Sequence, residues 1–139
     1  TLRHTLFPYT TLFRSTLSRP GDPATVLRGF FDAALKKQRA TGFVGGCLWG
    51  NTALEMSDTN PAYAQLVGEV FKDWLARVEA VIRRGQDEGE FRTDVAAADL
   101  ARRLVAGMEG GIMMSRLSKS PRPLKSCLNT LERCLKCEG

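Results

Sequence analysis

The sequence predicts an all-α fold, an antiparallel bundle of about five helices. Three observations carry this. Apolar residues recur three and four apart over long stretches after Asp22, each stretch is bounded by cap residues, prolines or glycines, and no segment alternates with the period of two that a half-buried strand requires. A chain of 139 residues, 43% hydrophobic and 25% charged, has the size of one domain and enough apolar side chains for a single core.

Residues 1–21 read as an irregular leader outside the fold, because their apolar positions follow neither helical nor strand spacing. The stretch from Thr5 to Ser15 also resembles translated sequencing-adapter DNA, so the native start is expected to lie elsewhere. Residues 22–139 are expected to form the folded domain. Asp22 and Pro23 provide a cap and a first-turn proline, and the helix they open carries Val26, Leu27, Phe30, Phe31, Ala34 and Leu35 on one face until Thr41 and Gly42 end it. Gly42, Gly45 and Gly46 make a loop, with no following Gly-Lys-Ser/Thr that would make it a phosphate cradle.

The next helix, from about Gly46 to Met56, is apolar around nearly its whole circumference and is expected to be buried. Asn51 and Glu55 lie four apart on it, so they either pair or face a cavity. Asn60 and Pro61 open the longest helix, whose stripe runs from Tyr63 through Leu66, Val67, Val70, Phe71, Trp74, Leu75 and Val78 to Ile82, and Gly89 stops it. Thr93 or Asp94 is expected to cap a further helix with Leu100, Leu104, Val105, Met108, Ile112, Met113 and Leu117 on its apolar side. Gly107 and Gly111 on that helix imply close approach of a neighbour or room for a ligand. After the prolines at 121 and 123, Leu124, Leu128, Leu131 and Leu135 form a leucine seam suited to packing against another helix.

Composition removes several function classes. The net charge of +5 is concentrated at the two ends without interleaved aromatics, which is a solvated surface rather than a phosphate track, so specific DNA binding by this stretch of chain is not expected. No run of about 18 apolar residues supports a membrane span, and four cysteines without a secretory leader point to reduced thiols in the cytoplasm. The spacing of Cys134 and Cys137 supplies half of a zinc site without its second half; no metal and no cofactor is expected. The sole histidine, His4, lies in the leader, so no nucleophile, base and orienting group can be assembled, and the chain is not expected to be an enzyme.

The segment Gly46-Cys-Leu-Trp-Gly-Asn-Thr-Ala-Leu-Glu55, the long amphipathic helix ending in Gly89-Glu-Phe-Arg-Thr-Asp94, the glycine- and methionine-containing helix and the short last helix together resemble the C-terminal domain of TetR/AcrR-family transcriptional regulators, over about residues 22–137. The resemblance implies a pocket for a small-molecule effector among the helices before the hinge and homodimerisation through a four-helix bundle of the last two helices of each subunit. The family's N-terminal helix-turn-helix has no counterpart before Asp22, so DNA binding belongs to the family rather than to these residues. Some relatives resemble electrophile or oxidant sensors with a cysteine where Cys47 stands, and the lysine that can partner it aligns with Arg116.

Convergence of the apolar stripes makes Phe31, Leu35, Cys47, Asn51, Phe71, Trp74, Met108 and Ile112 the candidate lining of an effector pocket, with Glu109 nearby, for a small lipophilic or aromatic molecule. Met113, Leu117, Leu124, Leu128, Leu131 and Leu135 are the candidate dimer interface. Two alternatives stay open: a helical dimerisation module with a filled core and no ligand, and a thiol sensor acting through Cys47.

Overall fold

A computed structural model describes residues 11–136. Among them are six helices and no strand: α1 over residues 11–17, α2 Pro23–Ala40, α3 Leu48–Met56, α4 Pro61–Asp87, α5 Ala97–Ser118 and α6 Arg122–Leu135. The chain is all-α, as its periodicity requires. His4 and Cys137 lie outside the described residues, as does the first part of the leader.

Local chemistry sets most boundaries. The Asp22 carboxylate accepts from the Thr25 amide at 2.9 Å and from the Thr25 hydroxyl at 2.7 Å, and Pro23 follows in the first turn of α2. The Asn60 side chain accepts from the amides of Ala62 and Tyr63 at the start of α4. At α5 the expectation fails: Thr93 and Asp94 precede the helix, which starts after Ala96 with no side-chain cap. The reason is local, because Asp94 is engaged by Arg92 at 2.6–2.7 Å instead of turning to the helix amides.

Packing is built around α5, which lies between α4 and α6; α2 touches both α4 and α6, and α3 rests on α4. The two glycines of α5 serve close approach. A Cβ at position 107 would sit 3.0 Å from Leu131, and one at 111 would sit 3.1 Å from Leu124 and Cys127, so α6 lies directly on this stripe. The buried Ser115 hydroxyl then accepts from the Leu124 amide at 2.9 Å, capping α6 from a neighbouring helix, and the Cys127 thiol donates to the Gly107 carbonyl at 2.9 Å.

Three expectations are corrected by this packing. Leu124, Leu128, Leu131 and Leu135 are buried within the chain's own core, so the leucine seam is not a free dimer face: its partner helix is α5 of the same chain. The α3 helix is not enclosed, since only Trp49 in it is buried and Leu54 stays 85% exposed; it lies along α4 at the surface, where few elements are available to cover it. Residues 11–17 are not a leader outside the fold, for Phe13 and Leu17 enter the main core and Phe13 stacks on Trp74 with ring centroids 5.6 Å apart. Thr16, buried beside them, returns its hydroxyl to the Leu12 carbonyl at 2.6 Å, and Arg14 pairs with Asp73 of α4 at 3.0 Å. The described stretch, residues 11–17, is too short to show a period, and its contact with α4 reveals the buried face.

Candidate functional site

The turn between α2 and α3 positions the site. Gly42, Gly45 and Gly46 all take positive φ, conformations that glycine adopts without a Cβ clash, and so bring Cys47 over α5 as the residue before α3. Asn51, one turn into α3, donates to the Gly45 carbonyl at 2.6 Å and holds this turn in place. Gln38, a buried polar residue in the apolar stripe of α2, faces the same turn through the Gly46 carbonyl at 3.4 Å.

Two cavities adjoin at this point. The inner one, about 50 Å³, lies between α1, α2, the start of α3, α4 and α5, and is lined by Leu12, Phe13, Phe30, Ala34, Lys37, Gln38, Gly46, Cys47, Leu48, Trp49, Trp74, Met108, Glu109 and Ile112. The outer one, about 310 Å³, lies between α3, α4 and α5, and is lined by Gly46, Cys47, Gly50, Asn51, Ala53, Leu54, Phe71, Glu109, Gly110, Ile112, Met113 and Arg116. Gly46, Cys47, Glu109 and Ile112 belong to both. The outer volume falls at the low end of the range that holds small molecules, whereas the inner one has room for only one or two waters.

The boundary between the cavities is the pair Cys47 and Glu109. The Cys47 thiol hydrogen-bonds the Glu109 carboxyl, and burial followed by the nearby Glu109 charge pushes the thiol pKa up to about 12. Burial likewise raises the Glu109 carboxyl above its usual range, with the Cys47 bond opposing. A Cβ at position 50 would meet Glu109 Oε2 at 2.1 Å, so glycine there leaves the carboxyl its place beneath α3. Lys37, half-buried at the inner rim, is lowered by desolvation. Three buried polar atoms have no hydrogen-bond partner among the described residues: Trp49 Nε1, Trp74 Nε1 and Glu109 Oε1. Each such group costs about 1–3 kcal/mol while it stays unpaired.

Of the anticipated lining, Trp74 and Met108 reach the inner cavity, Asn51 and Phe71 the outer, and Cys47 and Ile112 both. Phe31 is buried in the core and Leu35 half-buried against it, and neither lines either of these two cavities: the face of α2 that does so is Phe30, Ala34 and Gln38, rotated from the expected one. Glu55 is exposed and does not pair with Asn51. Gln38 was legible as a polar residue in an apolar stripe; Phe13 and Leu12 carried no periodic signal. Of the anticipated interface, Met113 and Leu117 are 55% and 83% exposed on α5, next to Met114. Among the described residues no group of three or more His, Cys, Asp or Glu side chains could hold a metal, and no helix is long and apolar enough to cross a membrane.

Comparison with known proteins agrees with this architecture. The family model described as the tetracyclin repressor-like C-terminal domain matches residues 23–131. The HTH-type transcriptional repressor DhaR of Mycobacterium sp. (strain GP1) is 26% identical over 113 residues, covering 81% of this chain and 55% of that protein, so the chain spans about half the length of that relative. Among solved structures, regulatory protein TetR from Rhodobacter sphaeroides superposes with a TM-score of 0.84 at 29% identity, covering 94% of this chain and 71% of that one. A TetR transcriptional regulator from Chloroflexus aurantiacus J-10-FL gives a TM-score of 0.76 at 28% identity, covering 88% and 62%. With the matched residues spanning α2 to most of α6, and the same helical arrangement recurring in two solved regulators, the chain belongs to the tetracycline repressor-like C-terminal domain family of TetR regulators.

Proposed function

We propose that this chain is the small-molecule-sensing and dimerising domain of a cytoplasmic transcriptional regulator, in which effector binding between α2, α3, α4 and α5 is relayed to DNA binding by a helix-turn-helix of the longer regulator. The observation that carries this reading is the pair of adjoining, mainly apolar cavities that meet at Cys47 and Glu109. A module that only dimerises has no use for an apolar cleft of about 310 Å³ that leads in to Cys47 and Glu109. The thiol-sensor alternative is disfavoured because a reactive cysteine needs thiolate character, whereas burial and Glu109 hold Cys47 protonated with a pKa of about 12.

This reading puts the second copy on the outward face of α5, where Met114 and Leu117 are exposed large apolar side chains at helical spacing, beside Met113 at the rim of the outer cavity. A thermal-shift screen of lipophilic cations, phenolics and fatty acids tests the effector reading. A ligand at about a hundred times its Kd adds about 2.7 kcal/mol. Hits of this size should vanish in Ile112→Trp, which fills the junction of the two cavities. Hits indifferent to that substitution, or a screen without hits, would overturn it.

A further inference from the structure

The inner cavity is too small for an effector, but Trp49, Trp74 and Glu109, the three residues that hold the unpaired buried polar atoms of the described residues, all line it. Both tryptophans are at least nine-tenths buried, at 4% and 5% exposure, so bulk water does not satisfy their indole N–H groups. Resting on the effector reading above, we infer that this site takes a neutral ligand with a hydroxyl head: the head sits in the inner cavity and the apolar body fills the outer one, across the Cys47 and Glu109 boundary.

The hydrogen-bond inventory carries the choice. A hydroxyl offers two acceptor lone pairs and one donor, matching two indole donors and one carboxyl oxygen. A carboxylate offers acceptors only and has no proton to give Glu109 Oε1. An ammonium offers donors only and leaves both indoles unpaired. An aldehyde or ketone can accept from the indoles but has nothing to give Glu109 Oε1. The volume agrees, because about 50 Å³ suits one water or one hydroxyl, and a ligand hydroxyl that displaces such a water reproduces its bonds.

The chain contains two tryptophans, both at the site, so intrinsic fluorescence reads it directly. Titration with benzyl alcohol, toluene, benzaldehyde, benzoate and benzylamine should give tightest binding for the alcohol, about tenfold better than toluene, the worth of one or two well-made hydrogen bonds. Trp49→Phe and, separately, Trp74→Phe keep an aromatic side chain but replace the indole by a smaller phenyl without the N–H, and each should weaken the alcohol severalfold more than it weakens toluene, read from the remaining tryptophan. Equal binding of toluene or benzaldehyde, or equal weakening of every probe by both variants, overturns the hydroxyl head and leaves the effector pocket standing. Preference for benzylamine overturns it in favour of a cation paired with Glu109. Failure of every probe overturns it as well, and the broader screen with Ile112→Trp then decides independently whether the pocket reading also falls.

Discussion

Glu109 shows at the scale of one residue how burial turns into a pH dependence. Its unfolded carboxyl titrates near 4.5 and its folded one higher, because desolvation opposes the charged form. Above pH 4.5 the unfolded chain releases this proton first, so Glu109's stabilising contribution is complete at lower pH and is lost as pH rises through the folded pKa. Asp73 acts in the opposite sense: Arg14 and Arg77 hold it low against the effect of burial, and its contribution disappears as pH falls through the folded value. Glu109→Gln isolates the first effect. Urea titrations of the wild type and the variant across pH 4–7 should show wild type losing stability relative to Glu109→Gln as pH rises, and a pH-independent difference would contradict the assignment.

Elements differ in how tightly they are pressed together, and glycine substitutions measure it. Gly68 in α4 has nothing within 4 Å of an added Cβ, so Gly68→Ala should stabilise by about 0.8 kcal/mol through helix propensity. Gly111 has the α6 backbone at Leu124 only 3.3 Å away, so Gly111→Ala should lose that gain and destabilise by about 1–3 kcal/mol through overpacking. Equal effects of the two in denaturant titrations would mean that α6 does not rest on α5 at this point. The α1 segment makes a similar claim. Phe13→Ala removes a buried ring that stacks on Trp74, and should cost about 3 kcal/mol and shift tryptophan emission. A loss under about 0.5 kcal/mol, typical of an exposed site, would return residues 11–17 to the status of a loose leader.

For the whole molecule the question is which apolar residues hold the chain itself and which the proposed second copy would cover. Leu128 is buried within the chain, so Leu128→Asp places an unpaired carboxylate in the core and should unfold the protein by circular dichroism. Leu117, 83% exposed, has no such role, and Leu117→Glu should leave the helical spectrum intact while converting a dimer to a monomer by light scattering at tens of micromolar. A monomeric wild type would refute the assigned face, and a dimeric Leu117→Glu would move it elsewhere on the surface.

The sequence by itself determined the helices α2 to α6, the caps at Asp22 and Asn60, and the family, because helical period and cap chemistry are local properties written within one or two turns. It also placed Cys47, Trp74, Met108 and Ile112 around one interior. Tertiary structure alone decided what each stripe faces. The period of α6 announced a buried leucine seam but could not say that α5 of the same chain buries it. The period of α2 could not choose between Phe31 and the neighbouring face of Phe30, Ala34 and Gln38, which differ by about 100° of helix rotation. The seven described residues of α1 were too few to declare a face at all. A stripe specifies that a helix must be covered; which element covers it depends on the long-range packing of the whole bundle, and that is information no local window contains.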